Sequence, residues 1–453
     1  MSKRYLALML GDAFCAGTAV LAGLSLRFGE MPSLGSYFGM SGVHFVLFIA
    51  VMLFSAFFVE LYSQDRELSP RDLAGRVVIE LILAFFTLAA LYFFLPAALD
   101  GRGVLLISVV IFGLFQFLWH AGSRGGFIFP AFAKRVLILG TGPLANQMGS
   151  LVLASGQNYV LSGYVSCARE PVYVPTQAIV GNEEGLFETV CRHRADKIVV
   201  SLGERRGVFP LKDVLNCKLS GIEVMDAPSF YERVTGKLLI ESINPSWFIF
   251  SSGFRVTALI RLFKRLIDIF CALLGGVLFL PFFPVVALAI KLDSPGPIFF
   301  RQLRVGEREK PFYLFKFRTM RTDAEKATGA VWAQKDDPRV TRLGRFLRKS
   351  RIDEIPQLFN VLIGDMSLVG PRPERPEFVE QLQKVIPYYS ERHFVKPGVT
   401  GWAQVRYPYG ASVEDAVEKL RYDLYYIKNL SVTFDLMIIL ETIKVVLFQR
   451  GGR

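Results

Sequence analysis

The stretch IFCALLGGVLFLPFFPVVALAI, residues 269–290, decides how the last third of this chain meets its surroundings. It contains no charged residue and is long enough to cross a bilayer core, which takes about 20 helical residues. Pro281 and Pro284 interrupt its middle, where a proline removes a hydrogen-bond donor and bends a helix. Basic residues flank both ends: Arg261, Lys264, Arg265, Lys291, Arg301 and Arg304. These features favour a hairpin that returns to the same side, and a kinked spanning helix, which would put residues 291–453 outside the cell, stays open.

Four further apolar segments open the chain, at residues 5–26, 43–62, 77–98 and 103–119. Each is near the length of a membrane-spanning helix, so we predict a four-helix transmembrane domain over residues 1–125. One side has only Arg27 and Arg102, whereas the other has Lys3, Arg4, Arg66, Arg71, Arg76, Arg124, Lys134 and Arg135. The positive-inside rule therefore predicts that both ends of this domain are cytoplasmic.

Two acids, Asp12 and Glu80, fall within these segments, close to their ends. An ionisable group in a span is costly unless it has a partner. We predict polar contacts between helices or at the level of the lipid head groups.

The composition agrees with a membrane protein that handles anions. The chain is 52% hydrophobic, has 40 Phe and carries a net charge of +12, most of it within residues 261–453. A basic and apolar protein suggests an anionic membrane face or phosphate substrates. No nucleic-acid-binding motif is present, so no nucleic-acid partner is expected. The five cysteines are scattered and predict neither a zinc site nor a disulfide framework.

Residues 135–255 have the pattern of a soluble α/β domain. The segment RVLILGTGPLANQM, residues 135–148, is an apolar strand that leads into a glycine turn and a helix. Gly140, Gly142 and Ala145 match the G-x-G-x-x-A fingerprint of dinucleotide-binding folds. The acid expected after the second strand is doubtful because Glu170 comes late, and no Tyr-x-x-x-Lys pair is evident. We therefore predict a Rossmann-like domain without NAD chemistry and assign it no cofactor-binding residues; a structural role, a regulatory role and the binding of another nucleotide stay open.

Residues 261–453 carry the pattern expected of a phosphate-handling α/β domain. Phe315, Lys316, Phe317 and Arg318 alternate as in a strand with one buried face and one cationic face. In the segment that follows, Arg342, Arg345 and Arg348 recur every three residues, which groups them on one side of a helix. This basic amphipathic pattern is typical of a helix that lies on a membrane surface.

An adjacent acid pair, Asp353 and Glu354, follows this basic helix. An acid pair alone is more often a surface ion pair, but here it stands among cations and beside Arg372, which is held between Pro371 and Pro373. One ionised carboxylate can attack phosphorus, and a second can hold Mg²⁺ bridged to substrate phosphates. An arginine held rigidly in this way can donate two parallel hydrogen bonds to a phosphate. The combination predicts phosphoryl transfer at a membrane surface.

At this point the sequence strongly resembles the large monotopic type of bacterial polyprenyl-phosphate phosphoglycosyl transferases, also described as exopolysaccharide undecaprenyl-phosphate sugar phosphotransferases. The resemblance covers nearly the whole chain. Its most specific parts are KFRTM at residues 316–320, the run from residue 337 to residue 373, and KPGVTGWAQV at residues 396–405.

This resemblance implies a mixed membrane protein with three domains. These are a four-helix transmembrane bundle at 1–125, a Rossmann-like α/β cytoplasmic domain at 135–255, and an α/β catalytic domain at 261–453 with a re-entrant helix at 266–290. The family's location would be the bacterial inner membrane, with the catalytic domain on the cytoplasmic face. Membrane lipid is an expected partner, and a homodimer is expected.

The resemblance also implies a reaction and roles for the residues. Asp353 would attack the β-phosphate of a UDP-sugar, release UMP and hold the phosphosugar, which undecaprenyl phosphate would then accept in a ping-pong sequence. Glu354 would bind the Mg²⁺ cofactor. The remaining expected phosphate or nucleotide contacts are Pro371, Arg372, Pro373, Lys316, Arg318 and Arg339. The family favours UDP-glucose or UDP-galactose, and an N-acetylhexosamine is possible.

Two other functions stay open at this stage. A membrane-anchored NAD-dependent sugar-nucleotide dehydratase would share the anchor and the Rossmann-like domain, but it needs a complete cofactor site. A non-catalytic regulator of polysaccharide assembly would not need the intact acid pair. His393, Trp402 and Gln404 are predicted to be structural, and residues 436–448 are predicted to form a membrane-lying or docking helix.

Overall fold

The structure is a computed structural model. It describes residues 3–29, 34–59, 61–62, 70–94, 102–124, 133–155, 159–167, 170–203, 209–243, 248, 251, 253–322, 324, 337–407, 410 and 412–447. The chain divides into two compact units, Met1–Thr235 and Gly236–Arg453. The predicted boundary between the four-helix domain and the α/β domain falls inside the first unit.

The first unit begins with four helices: α1 Lys3–Phe28, α2 Leu34–Phe58, α3 Pro70–Phe94 and α4 Arg102–Arg124. Within the described residues, three stretches are long and apolar enough to span a membrane, namely Tyr5–Phe28, Leu73–Phe94 and Gly103–Ser123. In α2 the apolar helical stretch that the structure describes is Gly42–Phe58, which is shorter than these three. These helices are consistent with a membrane protein, and Arg66, used in the orientation argument, lies outside the described residues.

A buried polar cluster joins three of these helices. The Gln116 amide Nε2 donates to Asp12 Oδ2 and to Glu80 Oε1, each at 3.0 Å. His120 Nε2 lies 3.0 Å from Asp12 Oδ2, and all four side chains are fully buried. The prediction that Asp12 and Glu80 make polar contacts between helices is confirmed.

The rest of the first unit is a parallel sheet with helices. The strands are β1 Lys134–Leu139, β2 Tyr159–Ser166, β3 Ile179–Asn182, β4 Lys197–Val200 and β5 Glu223–Asp226. They pair in the order β3-β2-β1-β4-β5, and every pairing is parallel. The connecting helices are α5 Pro143–Ala154, α6 Leu186–His193, α7 Leu211–Leu219 and α8 Ala227–Thr235. The predicted alternation of strands and helices is confirmed, and the inner strands β1 and β4 are largely apolar and buried because both faces of such a sheet are covered.

The apolar stretch of residues 269–290 lies in the second unit. It forms two helices, α9 Ala258–Phe279 and α10 Phe283–Asp293, which meet at a bend of 66°. Pro281 lies in the break, and Pro284 lies in the first turn of α10, where its missing N–H costs nothing. The predicted interruption at the prolines is confirmed.

Both ends of this bent pair are attached to the same unit. In the middle of α9, directly before the apolar stretch 269–290, Asp268 Oδ1 accepts from Ser367 Oγ and from the Leu368 backbone N–H, at 3.0 and 2.8 Å. After the end of α10, the Arg318 guanidinium donates to the carbonyls of Ser294 and Pro295, at 2.6 and 2.7 Å. The entry and the exit of the hairpin therefore lie on one globular body.

That body contains two small sheets and several helices. Strands β6 Phe299–Val305 and β7 Pro311–Phe317 form an antiparallel hairpin, and β8 Ser367–Val369 pairs in parallel with β9 Gly398–Thr400. The helices are α11 Arg342–Lys349, α12 Gln357–Ile363, α13 Pro376–Val385, α14 Trp402–Arg406, α15 Val413–Lys428 and α16 Val432–Leu447. Its largest core gathers Trp402, Leu424, Tyr426 and Ile438. The predicted strand at Phe315–Phe317, the basic helix α11 and the last helix α16 are confirmed.

Candidate active site

The acid pair lies on a short 3₁₀ turn, Ile352–Glu354, between α11 and α12. Arg351 starts the turn with a left-handed backbone at φ 60°, which reverses the chain after α11. Asp353 and Glu354 are only 6% and 8% exposed. Two adjacent carboxyl groups are thus held in a partly desolvated position rather than at a free surface.

Asn360 fixes this turn against strand β7. Its side chain is fully buried, accepts from the Phe315 backbone N–H at 3.0 Å and donates to the Tyr313 carbonyl at 2.7 Å. One amide thereby pairs with one N–H and one C=O at the edge of β7, whose sheet neighbour among the described residues is β6. The contact docks α12 on β7 and so brings the acid pair beside Lys316.

Three cations surround the Glu354 carboxylate. Lys316 Nζ and Arg372 Nη2 lie 2.9 and 2.7 Å from Oε1, and Arg351 Nη1 lies 3.5 Å from Oε2. Burial alone would raise the pKa of Glu354, but Arg372, Lys316 and Arg351 outweigh it and hold that pKa well below its usual value. Glu354 is therefore ionised at neutral pH.

Fewer cations lie close to Asp353 than to Glu354. Lys316 Nζ lies 3.9 Å from its Oδ2. Burial raises the pKa of Asp353, Lys316 partly offsets this, and the negative charge of Glu354 raises it further. Its ionised form is thus less stabilised than that of an ordinary aspartate. A less stabilised carboxylate is a better nucleophile.

The backbone of the Pro371–Arg372–Pro373 segment is fixed at three successive carbonyls. That of Pro371 accepts from the Gly398 N–H at 2.9 Å, that of Arg372 from Arg392 Nη2 at 3.0 Å, and that of Pro373 from Arg304 Nη1 at 3.1 Å. Rigid prolines and three bonds hold the backbone from which the Arg372 side chain extends. Its guanidinium reaches Glu354, so the structure brings the predicted arginine to the acid pair.

Two predicted contacts have other described partners. Arg318 is 6% exposed and its guanidinium donates to the carbonyls that follow α10. Arg339 pairs with Asp337 through both its Nε and its Nη2 atoms, at 2.9 and 2.6 Å. The structure gives each a local structural explanation, because unsatisfied carbonyls and a buried carboxylate need such donors. Their predicted role in phosphate binding stays a prediction.

The residues near the end of the unit that were predicted to be structural have internal contacts. The Trp402 indole N–H donates to the Gly236 carbonyl at 2.8 Å, and Gln404 Nε2 donates to the Val399 carbonyl at 3.2 Å. Burial and, to a smaller extent, Arg392 lower the pKa of His393 to about 4, with Glu309 opposing both. An imidazole of that pKa is a weak base at neutral pH.

Sequence reasoning did not single out the groups that hold the arginine segment. Arg392 donates to Asp423 Oδ2 at 2.8 Å and to the Tyr389 hydroxyl at 2.6 Å, and both charged side chains are buried. Arg351 was not singled out either. Its position two residues before Asp353 was a usable signal, whereas no sequence pattern connects residues 392 and 423 to residue 372.

The glycine turn of the first unit holds a carboxylate of its own. Gly140 has φ 124°, and Gly142 precedes helix α5, so the turn has the shape that its glycines predict. Glu170 Oε2 accepts from the Thr141 N–H at 2.8 Å, and a Cβ on Gly142 would lie 2.8 Å from Glu170 Oε1. Glu170 was discounted because it comes late in the sequence, yet the chain after β2 brings its carboxylate to the turn.

Comparison with known proteins gives the second unit a family. The family described as "Bacterial sugar transferase" matches residues 259–449. The chain is 43% identical over 52% of its length to the "UDP-N-acetylgalactosamine-undecaprenyl-phosphate N-acetylgalactosaminephosphotransferase" of Aeromonas hydrophila and covers 55% of that relative.

Two shorter relatives are covered more fully. The chain is 43% identical over 40% of its length to the "Exopolysaccharide production protein PSS" of Rhizobium leguminosarum bv. phaseoli, of which it covers 92%. It is 46% identical, also over 40% of its length, to the "UDP-glucose:undecaprenyl-phosphate glucose-1-phosphate transferase" of Caulobacter vibrioides, of which it covers 68%. The matched residues include the acid pair and its cations, and the chain belongs to the bacterial sugar transferases, the family of undecaprenyl-phosphate sugar phosphotransferases.

Proposed function

We propose that this protein transfers a hexose 1-phosphate from a UDP-hexose to undecaprenyl phosphate and releases UMP, as the first step in assembling an exopolysaccharide or O-antigen repeat unit. The observation that carries the proposal is the buried Asp353 beside a Glu354 carboxylate held by three cations. The names of the relatives support both the donor class and the acceptor. They differ in the sugar, so the donor has to be identified by assay.

In the first step, an Asp353 carboxylate oxygen forms a bond to the β-phosphorus of the donor. The bond between that phosphorus and the oxygen bridging to the α-phosphate breaks, and UMP leaves with the electron pair. Arg372 and Lys316 lie where they can neutralise diphosphate oxygens, since both already hold the Glu354 carboxylate. In the second step, a phosphate oxygen of the acceptor attacks the same phosphorus, and the Asp353 carboxylate leaves.

The acid pair also fits a magnesium ion. Mg²⁺ is commonly bound through one or two carboxylates together with substrate phosphates. Within the described residues there is no group of three or more His, Cys, Asp or Glu side chains arranged for a metal, so an ion at Glu354 would need substrate phosphates as further ligands. When bound, the ion would neutralise charge on the diphosphate. Lys316 and Arg372 would orient Glu354 towards it.

Release of UMP is the direct test. The wild type, Asp353→Asn and Glu354→Gln would be given a panel of UDP-sugars with Mg²⁺, first without and then with undecaprenyl phosphate. Glu380→Gln, an exposed acid on α13, is the matched control. We expect UMP release by the wild type and the control only, and a phosphosugar adduct on Asp353 by mass spectrometry when the acceptor is left out. Turnover by Asp353→Asn at the wild-type rate would exclude Asp353 as the nucleophile.

We further propose the inner membrane as the site of action, with the second unit on the cytoplasmic face where nucleotide sugars are made. A re-entrant arrangement of α9 and α10 is supported by the attachment of both their ends to one body. The four N-terminal helices would form a transmembrane bundle, and the protein would be a homodimer. Mass measurement of the purified protein in lipid nanodiscs tests the dimer.

The α/β part of the first unit is proposed to be Rossmann-like and without NAD chemistry. The strand order and the glycine turn support the fold. The Glu170 carboxylate supports the proposal that NAD chemistry is absent. It accepts from the Thr141 N–H and fills the space beside Gly142 that a pyrophosphate would need. We expect no change in the melting temperature of the full chain with NAD⁺, and a rise of several degrees would overturn this proposal.

A further inference from the structure

An apolar cavity lies against the hairpin in the second unit. Its volume is about 750 Å³, within the range of about 300–1,000 Å³ that is usual for ligand sites. The walls come from α9 and α10, from strands β6 and β7, and from the start of α12. Every lining residue is apolar except Arg301. A nucleotide sugar, which is polar throughout, finds almost no hydrogen-bonding partner on such walls.

Contacts between aromatic rings keep this cavity open. Phe299 stacks on Phe283 at 5.9 Å and on Phe317 at 5.6 Å between ring centroids, and Phe315 meets Phe359 edge-on at 5.8 Å. Such rings have few torsions, and their mutual contacts limit how far they can turn into the space. Phe299 and Phe359 still remain 44% and 56% exposed. The cavity thus offers a preformed apolar surface.

The cavity adjoins the acid pair along two elements. Ile355 and Pro356, which follow Glu354 directly, belong to its lining. On strand β7 successive side chains point to opposite faces, so Lys316 lies on one face and its neighbours Phe315 and Phe317 lie on the other. Lys316 bonds Glu354, and Phe315 and Phe317 line the cavity. One strand therefore presents a cation to the reacting phosphates and an apolar wall to the cavity.

We propose that this cavity binds the first isoprene units of the polyprenyl phosphate acceptor. The inference rests on the proposed function and adds where the lipid chain lies. The acceptor's phosphate has to reach Asp353, so the chain attached to that phosphate has to leave the polar site over a neighbouring surface. The apolar wall that begins at Ile355 is such a surface, and Arg301 adds positive charge that suits an anionic lipid.

Phe359→Ala and Phe299→Ala test this cavity in the full chain in nanodiscs, with the donor saturating. Phe282→Ala is the matched control, because Phe282 is a 61% exposed ring on the same hairpin and is not part of the lining. Removing one ring from the chain-binding surface is expected to raise the KM for undecaprenyl phosphate about tenfold. The release of UMP without acceptor should stay within about twofold of the wild type, since this step does not involve the lipid chain.

A photoreactive polyprenyl phosphate with its diazirine near the phosphate end gives a readout that does not depend on turnover. We expect labelled peptides from residues 299–301, 315–317 or 355–359, with labelling displaced by undecaprenyl phosphate and not by phosphatidylglycerol. Equal displacement by phosphatidylglycerol would show that the cavity takes any membrane lipid. Labelling elsewhere, or an equal KM change in Phe282→Ala, would also overturn the inference. A wild type that is labelled here but releases no UMP would instead refute the proposed function alone.

Discussion

Asp353 and Glu354 are neighbours in the chain but have different electrostatic surroundings. Three cations stabilise the charge of Glu354, whereas Asp353 has only Lys316 within 4 Å among the ion pairs described. The pKa of Asp353 is raised from 3.8 by burial, and that of Glu354 is well below 4.5. The difference supports the proposal that the first carboxylate attacks the donor and the second binds cations.

This difference predicts the pH profile of UMP release. Only ionised Asp353 can attack, so the single-turnover rate should fall as the pH drops through its raised pKa, at a higher pH than for an ordinary aspartate. Lys316→Met removes a cation that lowers the pKa of Asp353, so it should move the acid limb to still higher pH. Lys384→Met, an exposed lysine paired with Glu380, should leave the limb in place. A limb that moves to lower pH in Lys316→Met would contradict this assignment.

Arg392 acts on Arg372 through the backbone. Its guanidinium holds the Arg372 carbonyl and is itself held by Asp423. Arg392→Lys keeps the charge but loses the guanidinium whose Nη2 donates to both partners, so Arg372 is placed less accurately. We expect a loss of about tenfold in kcat/KM for the UDP-sugar, measured by UMP release. Arg421→Lys, the same change at an arginine paired with Glu418, should cost less than about twofold, and equal losses would refute a specific role for Arg392.

At the scale of elements, helix α12 is attached to strand β7 by one buried amide. Asn360→Leu would leave the Phe315 N–H and the Tyr313 carbonyl unsatisfied, at a cost of roughly 2–4 kcal/mol. The acid pair would also lose its fixed distance from Lys316, so activity should fall together with the melting temperature. Asn429→Leu, which removes an exposed amide bond to Tyr425, is the control and should change stability by less than about 0.5 kcal/mol. A melting temperature unchanged in Asn360→Leu would show that α12 is docked by its apolar contacts alone.

The elements also show what sequence could predict. Alternation at Phe315–Phe317 and the three-residue spacing of arginines in α11 follow from periods that the chain itself displays, and both elements were predicted correctly. The role of Arg318 could not be read in this way, because its partners are carbonyls freed by the end of another helix. Glu170 was discounted because its distance from β2 in sequence does not show where the intervening chain goes. The periodicity of a helix or strand can be read from the neighbouring residues, whereas contacts between residues far apart in the sequence depend on the complete fold.

At the scale of the whole molecule, the two units differ in the kind of apolar helices that they contain. The first has helices long and apolar enough to span, and the second has a bent pair whose prolines fall at the break. Lys264 near the start of that pair bonds Asp435 at 2.6 Å, and Arg318 holds the carbonyls after its end. A spanning helix would have its two ends on opposite sides, and those two attachments would then be separated by the bilayer.

Labelling of single cysteines decides this topology. Arg261 and Lys291 flank the apolar stretch 269–290 of the bent pair and are both exposed, so Arg261→Cys and Lys291→Cys can be compared in a background in which the five native cysteines are replaced by serine or alanine. With both attachments on one body, an impermeant maleimide should label neither position in intact spheroplasts and both in inside-out vesicles. A cysteine introduced in the segment 95–101 between the third and fourth helices serves as the periplasmic control, since the positive-inside rule places that loop outside. Labelling of Lys291→Cys in intact spheroplasts would mean that α9 and α10 cross the membrane, and the acid pair would then lie apart from cytoplasmic nucleotide sugars.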